Sequence, residues 1–102
     1  MYDFVDDMVA AFSQSIIDEG EDAKHAAGYA YEVFADNADM LDEIAALYEE
    51  GDLNEEEFND ELEDQRITLE TQLLALEVIE KAMLQRAIDG ALNVFRQSVI
   101  GF

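Results

Sequence analysis

Apolar residues recur at helical spacing along most of this chain, and no proline interrupts them. Proline would end or kink a helix, because it lacks a backbone N–H and clashes with the preceding turn. The chain also has only five glycines, and clusters of β-branched residues with a period of two are absent. The pattern predicts an all-α fold, a small bundle of four or five helices.

Glycines and capping residues predict the bounds of the first helices. Helix one is expected over 3–19, with Gly20 as the residue that ends it, and helix two is expected over 21–35. A short loop at 36–39 offers several capping side chains and leads to helix three, expected over 40–50. Within each segment the apolar residues lie three or four positions apart, which places them on one face of a helix.

A helical hairpin is expected at Gly51. Glycine commonly ends a helix because it adopts a left-handed conformation without a steric penalty. Asn54, followed three residues later by Glu57, is the sequence signature of a capping box at the start of the next helix. Phe58 and Leu62 then begin the apolar stripe of that fourth helix.

The same stretch resembles the second half of an EF-hand calcium loop, with Gly51 at the sixth position and Glu57 at the twelfth. The first half does not fit, because its first and third positions would be Ala46 and Tyr48, which cannot bind calcium there. The residues therefore favour a plain helical turn over a metal site.

The hairpin is also similar to that of short C-terminal (SHOCT-type) oligomerisation domains. In that family an apolar helix ends at a glycine, and a Thr/Asn-x-Glu-Glu-Phe start opens the next helix. The residues that carry the likeness are Leu41, Ile44, Leu47, Gly51, Leu53, Asn54, Glu57 and Phe58. The basic residues usual after the phenylalanine are missing here. The likeness implies hairpin geometry and not kinship.

The C-terminal part has no firm stop signal from 58 to 99. One helix of that length would be roughly 60 Å long and would outrun a small globule, so breaks are expected at 64–68 and at 89–90. Apolar residues occupy most sides of this long helical segment, which predicts that 66–102 forms the core or a homodimer interface. The expected interface residues are Leu69, Leu73, Leu76, Ile79, Met83, Leu84, Ile88 and Phe95.

Acidic residues are concentrated in the middle of the single domain expected over 1–102. The net charge is -21, from 26 acids and 5 bases. Residues 36–65 hold fourteen of the acids and no base, whereas 66–102 hold four of each. Such a protein repels nucleic acid and anionic membrane and attracts basic partners. Salt adaptation also gives an acidic composition, but it spreads the acids over the surface rather than on one face.

The leading hypothesis is that the acidic hairpin mimics nucleic acid and blocks a basic groove of a nuclease or another nucleic-acid enzyme. Duplex DNA carries one charge per about 1.7 Å of its axis, and fourteen acids on two adjacent helices reach a comparable density. Inhibitors of this type are familiar among small phage and mobile-element proteins. The candidate contacts are Asp39, Asp42, Glu43, Glu49, Glu50, Asp52, Glu55, Glu56, Asp60, Glu61, Glu63 and Asp64.

Two alternatives stay open. The first is a homo-oligomeric structural, assembly or adaptor protein, which requires only the apolar C-terminal segment. The second is a ferritin-like metal-binding bundle, in which Asp22 and His25 lie one helical turn apart and Glu32, Glu70 and Glu77 are cast as partners. That site needs a Glu-x-x-His from each of two helices, so a chain with one histidine would require a symmetric dimer.

Catalysis, cofactors and a resident metal are not expected. The serines lack a histidine or an acid at a recognisable spacing, and no G-x-S-x-G motif or Gly-rich phosphate loop is present. The absence of cysteine excludes disulfides and thiolate metal sites. No apolar run approaches the roughly 20 residues of a membrane span, and the first residues lack the basic start of a signal peptide. The expected location is the cytoplasm of a bacterium or of an infected host.

Overall fold

The structure is a computed structural model that describes residues 3–17, 21–76 and 79–100. The described residues form five α-helices and no strand, so the all-α prediction is confirmed. The helices are α1 (Asp3–Ser15), α2 (Glu21–Asp36), α3 (Ala38–Glu49), α4 (Glu55–Leu73) and α5 (Lys81–Ile100), and a 3₁₀ turn at Leu74–Leu76 follows α4. No helix in this part of the chain has the length and the apolar content to cross a membrane.

The first and last helices, α1 and α5, make the most extensive helix–helix contact of the described chain. Their apolar stripes meet in one core, to which α1 gives Phe12 and α5 gives Ile88, both fully buried. The two helices are in contact at Gly90, where an added Cβ would lie at an ordinary van der Waals distance, 3.6 Å, from Oγ of Ser15. Burying a large apolar side chain contributes roughly 1.5–3 kcal/mol, so this stripe-on-stripe contact is a main source of stability.

A row of aromatic rings connects this pair of helices to α3 and α4. Phe4 of α1 meets Phe95 of α5 edge-to-face, with ring centroids 5.0 Å apart. Phe95 lies 6.4 Å from Phe58 of α4, and Phe58 lies 4.8 Å from Tyr48 of α3. Aromatic pairs at such separations add about 0.5–1.5 kcal/mol each beyond their buried area. Four helices are thus joined through consecutive ring contacts.

Helix α2 packs against α1, α3 and α4. A single residue, Asn37, separates it from α3, where a loop at 36–39 was expected. The side chain of Asn37 does not cap α3. Its amide donates instead to the carbonyl of Val33, at 2.8 Å, and to Oε1 of Gln72, at 3.1 Å. These two hydrogen bonds fix the α2–α3 corner onto the end of α4, which explains why so short a connection suffices.

The turn after α3 closes as the sequence predicts. Gly51 has φ +86°, the left-handed conformation that favours glycine. Its N–H donates to the carbonyl of Tyr48, and the N–H of Asp52 donates to the carbonyl of Leu47. This pair of bonds is the Schellman motif, which satisfies carbonyls left unpaired at a helix end.

The capping box at the start of α4 is formed. The side-chain oxygen of Asn54 accepts a hydrogen bond from the N–H of Glu57, at 2.8 Å. In return, the carboxylate of Glu57 accepts one from the N–H of Asn54, at 2.9 Å. The hairpin prediction at Gly51 is therefore confirmed down to its individual hydrogen bonds.

The prediction for the C-terminal segment is wrong in its details. The expected breaks at 64–68 and 89–90 lie inside α4 and α5, and the actual break follows Leu73. The long helical segment is therefore interrupted, as expected, but by a 3₁₀ turn that follows Leu73 and not at the predicted positions. Helix α1 also ends earlier than expected, because the backbone changes from an α-helix to a tighter turn after Ser15. Gly20 lies outside the described residues.

Candidate functional site

The acids predicted as partner contacts are all exposed. On α3 they follow the solvent side of the helix, opposite the apolar residues that enter the core. They are Asp39, Asp42 and Glu43, with Glu49 and Glu50 at the C-terminal end. Their spacing of three, four or seven residues keeps them on one stripe, because an α-helix has 3.6 residues per turn.

On α4 the acids follow a second outward stripe. Glu56, Asp60, Glu63 and Asp64 lie at helical spacing on the side opposite the buried Phe58. The remaining predicted contacts lie beside this stripe or in the turn that precedes it: Asp52, Glu55 and Glu61. We define the acidic face as the exposed acids of α3, α4 and the turn between them. The structure brings all twelve predicted residues onto this one hairpin.

Two arginines approach the acidic face at one edge only, the edge where α4 packs against α5. Arg96 of α5 bonds to Glu55, at 2.8 Å, and to the side chain of Asn59, also at 2.8 Å. Arg66 of α4 bonds to Glu63, with a closest N–O distance of 2.6 Å. This bond holds the pKa of the Glu63 carboxyl below its ordinary value and raises that of the Arg66 guanidinium. The charge of this edge is therefore partly neutralised.

The outward part of the acidic face keeps its charge. Asp42, Glu43, Glu56, Asp60 and Asp64 make no ion pair with any described base. Like-charged neighbours four residues apart, such as Asp60 and Asp64, each destabilise a helix by about 0.2–0.5 kcal/mol. The hairpin stays folded despite this repulsion, because its turn, its capping box and its buried rings stabilise it.

Of the residues considered for metal binding, His25 and Glu32 line one hollow along α2, whereas Glu70 lies apart on α4. In the described chain no group of three or more acid or histidine side chains is arranged to hold a metal ion. Glu57, the expected twelfth EF-hand position, is used by the capping box. His25 lies in a shallow hollow along α2, between Lys24 and Gly28, whereas Glu70 bonds to Gln85 of α5. The side chain of Asp22 and residue Glu77 lie outside the described residues.

Seven of the eight residues predicted as a homodimer interface lie in or against the core of the single chain. Leu69, Leu73, Ile79, Leu84, Ile88 and Phe95 are buried, and Met83 packs against them half-buried. The side chain of Leu76 lies outside the described residues. This segment is apolar on several sides because its helices pack against α1 and against each other. These side chains therefore do not form an exposed face. Self-association itself stays a prediction.

Two features of the surface were not found in the sequence. One is the groove between α4 and α5, where Arg66 and Arg96 lie near Asp89 over a floor of Leu62 and Leu92. The bond from Arg66 to Glu63 joins residues three positions apart and could have been read from the spacing. The bond from Arg96 to Glu55 joins residues 41 positions apart, so no local sequence pattern predicts it.

The second feature is a set of large apolar side chains that face solvent. They are Ile17, Met40, Ile67 and Leu74. Ile67 and Leu74 lie on the outward side of α4, on the same stripe as the acids. Their spacing of seven residues was visible in the sequence. Because the helix is apolar on most sides, however, the sequence does not predict which side remains exposed to solvent.

Comparisons with protein-family models, with curated proteins and with solved structures give no match to this chain. The functional proposal therefore rests on the chemistry of the described surface. Of the surfaces described above, the acidic face carries the most concentrated charge.

Proposed function

We propose that this protein is not an enzyme and that it binds, through its acidic face, a basic groove with which another protein binds nucleic acid. The partner would be a nuclease or another nucleic-acid enzyme, inhibited by competition. One observation carries the proposal: the exposed acids of α3 and α4 lie on one hairpin, where the ion pairs with described bases are limited to Glu55 and Glu63 at its edge. Neither a metal nor a cofactor takes part.

The spacing of the charges supports the comparison with nucleic acid. Asp39 and Glu50 are eleven residues apart, which corresponds to about 17 Å of helix at 1.5 Å per residue. Five acids lie in that interval, or about one charge per 4 Å. One DNA strand carries a phosphate about every 3.4 Å. The carboxylates of α3 thus approach the linear charge density of one strand, and the acids of α4 add a second row.

The distribution of charge argues against uniform salt adaptation. Residues 36–65 carry fourteen acids without a base, whereas 1–35 carry eight acids and one base and 66–102 carry four of each. Salt adaptation would place acids on every exposed surface, including the outward side of α5. The concentration on one hairpin is instead what electrostatic recognition of a basic groove requires, because complementary fields accelerate encounter and set orientation.

The proposal is tested by competition against DNA itself. Proteins from a bacterial extract are bound to DNA-cellulose, and the purified full-length chain is added as the eluting agent. Proteins displaced by it are identified by mass spectrometry and assayed, once purified, for inhibition by the chain. Polyglutamate at equal charge concentration is the first control. We expect the chain to displace a small subset that polyglutamate leaves bound, and less efficiently as salt rises, since the Debye length falls from about 10 Å at 0.1 M to about 3 Å at 1 M.

Charge-reversed variants locate the effect on the acidic face. The variant Glu56→Lys, Asp60→Lys and Asp64→Lys changes three acids that make no ion pair with a described base. Its matched control reverses three exposed acids elsewhere: Asp6 and Asp7 on α1, and Glu32 on α2. Both variants have the same net charge, and circular dichroism checks that both stay helical.

The first variant should lose the displacement, and the control should retain most of it. Equal loss in both variants would mean that only net charge matters. Equal activity in both, or displacement no better than that of polyglutamate, would exclude the acidic face as a specific binding surface.

A further inference from the structure

The outward stripe of α4 changes character after Asp64. Ile67 lies one turn further along the same side of the helix, and its side chain is 51% exposed. Leu74 lies two turns beyond Ile67, in the 3₁₀ turn, and is 40% exposed. Residues 56, 60, 64, 67 and 74 thus form one line at helical spacing, acidic in its first half and apolar in its second.

Two hydroxyls beside these apolar side chains are already hydrogen-bonded within α4. The hydroxyl of Thr68 donates to the carbonyl of Asp64, at 3.2 Å, and that of Thr71 donates to the carbonyl of Ile67, at 2.9 Å. A partner that covers this part of α4 would therefore leave neither hydroxyl without a hydrogen bond. Burying unpaired polar groups is a main cost of association, and these two hydroxyls do not add to it.

We infer that Ile67 and Leu74 are apolar anchors of the acidic face, and that they fit a partner protein whose basic groove is bordered by an apolar hollow. The inference rests on the proposed function. It adds to the basic groove of the partner an apolar hollow that would bind Ile67 and Leu74. Interfaces between proteins commonly surround a few buried apolar residues with charged residues at the rim. The stripe on α4 presents this combination along a single helix.

Charge complementarity favours a basic protein as the partner over a second copy of the chain, nucleic acid or a membrane. A second copy of the chain also has a net charge of -21, so pairing through this stripe would bring two acidic rows together. Nucleic acid and anionic membranes are repelled for the same reason. A basic protein gains from the acids, and an apolar hollow on it gains from Ile67 and Leu74. The apolar contribution has a measurable consequence, because salt screens charge pairs and leaves apolar contact in place.

Two synthetic peptides serve as probes of this surface. One is an amphipathic helical peptide of lysine and leucine, and the other replaces every leucine with glutamine at equal length and charge. Binding to the full-length protein is measured at 0.15 M and 0.5 M NaCl, and the isoleucine and leucine methyl signals are followed by NMR. We expect the lysine–leucine peptide to bind about tenfold tighter, and to retain binding at 0.5 M salt when the other peptide has lost it.

The methyl signals and a matched pair of variants assign the effect to residues. The signals of Ile67 and Leu74 should shift with the lysine–leucine peptide, while that of Ile17 should not. Ile67→Ala combined with Leu74→Ala should reduce the affinity for this peptide to that of the lysine–glutamine peptide. Ile17→Ala is the control, since this side chain is 62% exposed and lies off the stripe. It should leave both affinities unchanged.

The outcomes separate this inference from the proposed function. If both peptides bind with equal affinity, or if Ile17 responds as Ile67 does, then the apolar anchors are excluded while recognition of basic surfaces stands. If neither peptide binds at low salt, then the acidic face does not attract basic partners and both proposals are excluded.

Discussion

The α3–α4 hairpin and the α1–α5 pair are stabilised in opposite ways. The hairpin joins neighbours in sequence, and the backbone bonds around Gly51 and the capping box at Asn54 define its geometry. The α1–α5 pair joins the two ends of the chain, and buried apolar side chains define it. The acids are densest on the hairpin, whereas the pair makes the most extensive helix–helix contact of the described chain.

This difference shows how a small protein can keep so many like charges together. Apolar contacts elsewhere in the protein offset the repulsion on the hairpin. The row of rings from Tyr48 through Phe58 and Phe95 to Phe4 connects the hairpin to those contacts. An exposed acidic surface of this kind therefore needs a rigid apolar support behind it. Four predictions test that relation, from the largest expected effect to the smallest.

Removing the central ring should destabilise the protein most. Phe95 is fully buried and contacts both Phe4 and Phe58. Phe95→Ala should lower the free energy of unfolding by about 3–5 kcal/mol, because it removes a large side chain and leaves a cavity. Met40→Ala, at a half-exposed position on α3, is the control and should change it by less than about 0.5 kcal/mol. Urea denaturation measures both. Similar values would mean that the ring does not connect the two regions.

Removing the cap should affect the hairpin alone. Asn54→Ala deletes the side chain that accepts the N–H of Glu57. The expected loss is about 1 kcal/mol of stability, in the range known for such caps. Asn93→Ala, at an exposed site inside α5, should cost less than about 0.5 kcal/mol. Hydrogen exchange through local opening should become faster in the first turn of α4 and stay unchanged in α1 and α5. Faster local opening of α1 would contradict the separation of the two regions.

Salt should distinguish the two regions without any mutation. Repulsion among the acids of the hairpin is screened as the Debye length falls from about 30 Å at 0.01 M to about 8 Å at 0.15 M. Amides of α3 and α4 should therefore gain protection from exchange over this range, by a few tenths of a kcal/mol for each screened pair. Amides at the centre of α1 and α5 should gain less. An equal gain in both regions would show that the charge acts on the whole fold and not on the hairpin.

The smallest effect concerns the pair at the edge of the acidic face. The hydrogen bond from Arg66 holds the pKa of Glu63 below its ordinary value. The pair therefore contributes stability above the ordinary pKa of a glutamate, and this contribution is lost as the pH falls through the lowered value. Arg66→Gln should raise the pKa of Glu63, as measured by NMR of its carboxyl carbon. Arg86→Gln removes the same charge from an exposed site on α5 and should leave that pKa unchanged.

The hairpin was predictable because its signals are local. Gly51, Asn54 and Glu57 act within a few residues of one another, and each one forms the bond that its position predicts. The break after Leu73 was not predictable, since residues 74–80 contain no glycine, proline or capping pattern. Gly90 suggested a break but lies within α5. Glycine costs only about 0.5–1 kcal/mol inside a helix, which the tertiary packing of α5 outweighs.

The sequence by itself determined the helical class, the hairpin and the exposure of its acids, because spacing and capping depend on near neighbours. It also indicated that the C-terminal segment must bury several of its sides. Only the tertiary structure decided what buries them: α1 and the neighbouring helices of the same chain cover Leu69, Leu84 and Phe95, and Ile67 stays exposed. An apolar stripe specifies that a face must be covered. It does not specify whether the covering helix comes from the same chain or another, since the packing of side chains is the same in both cases.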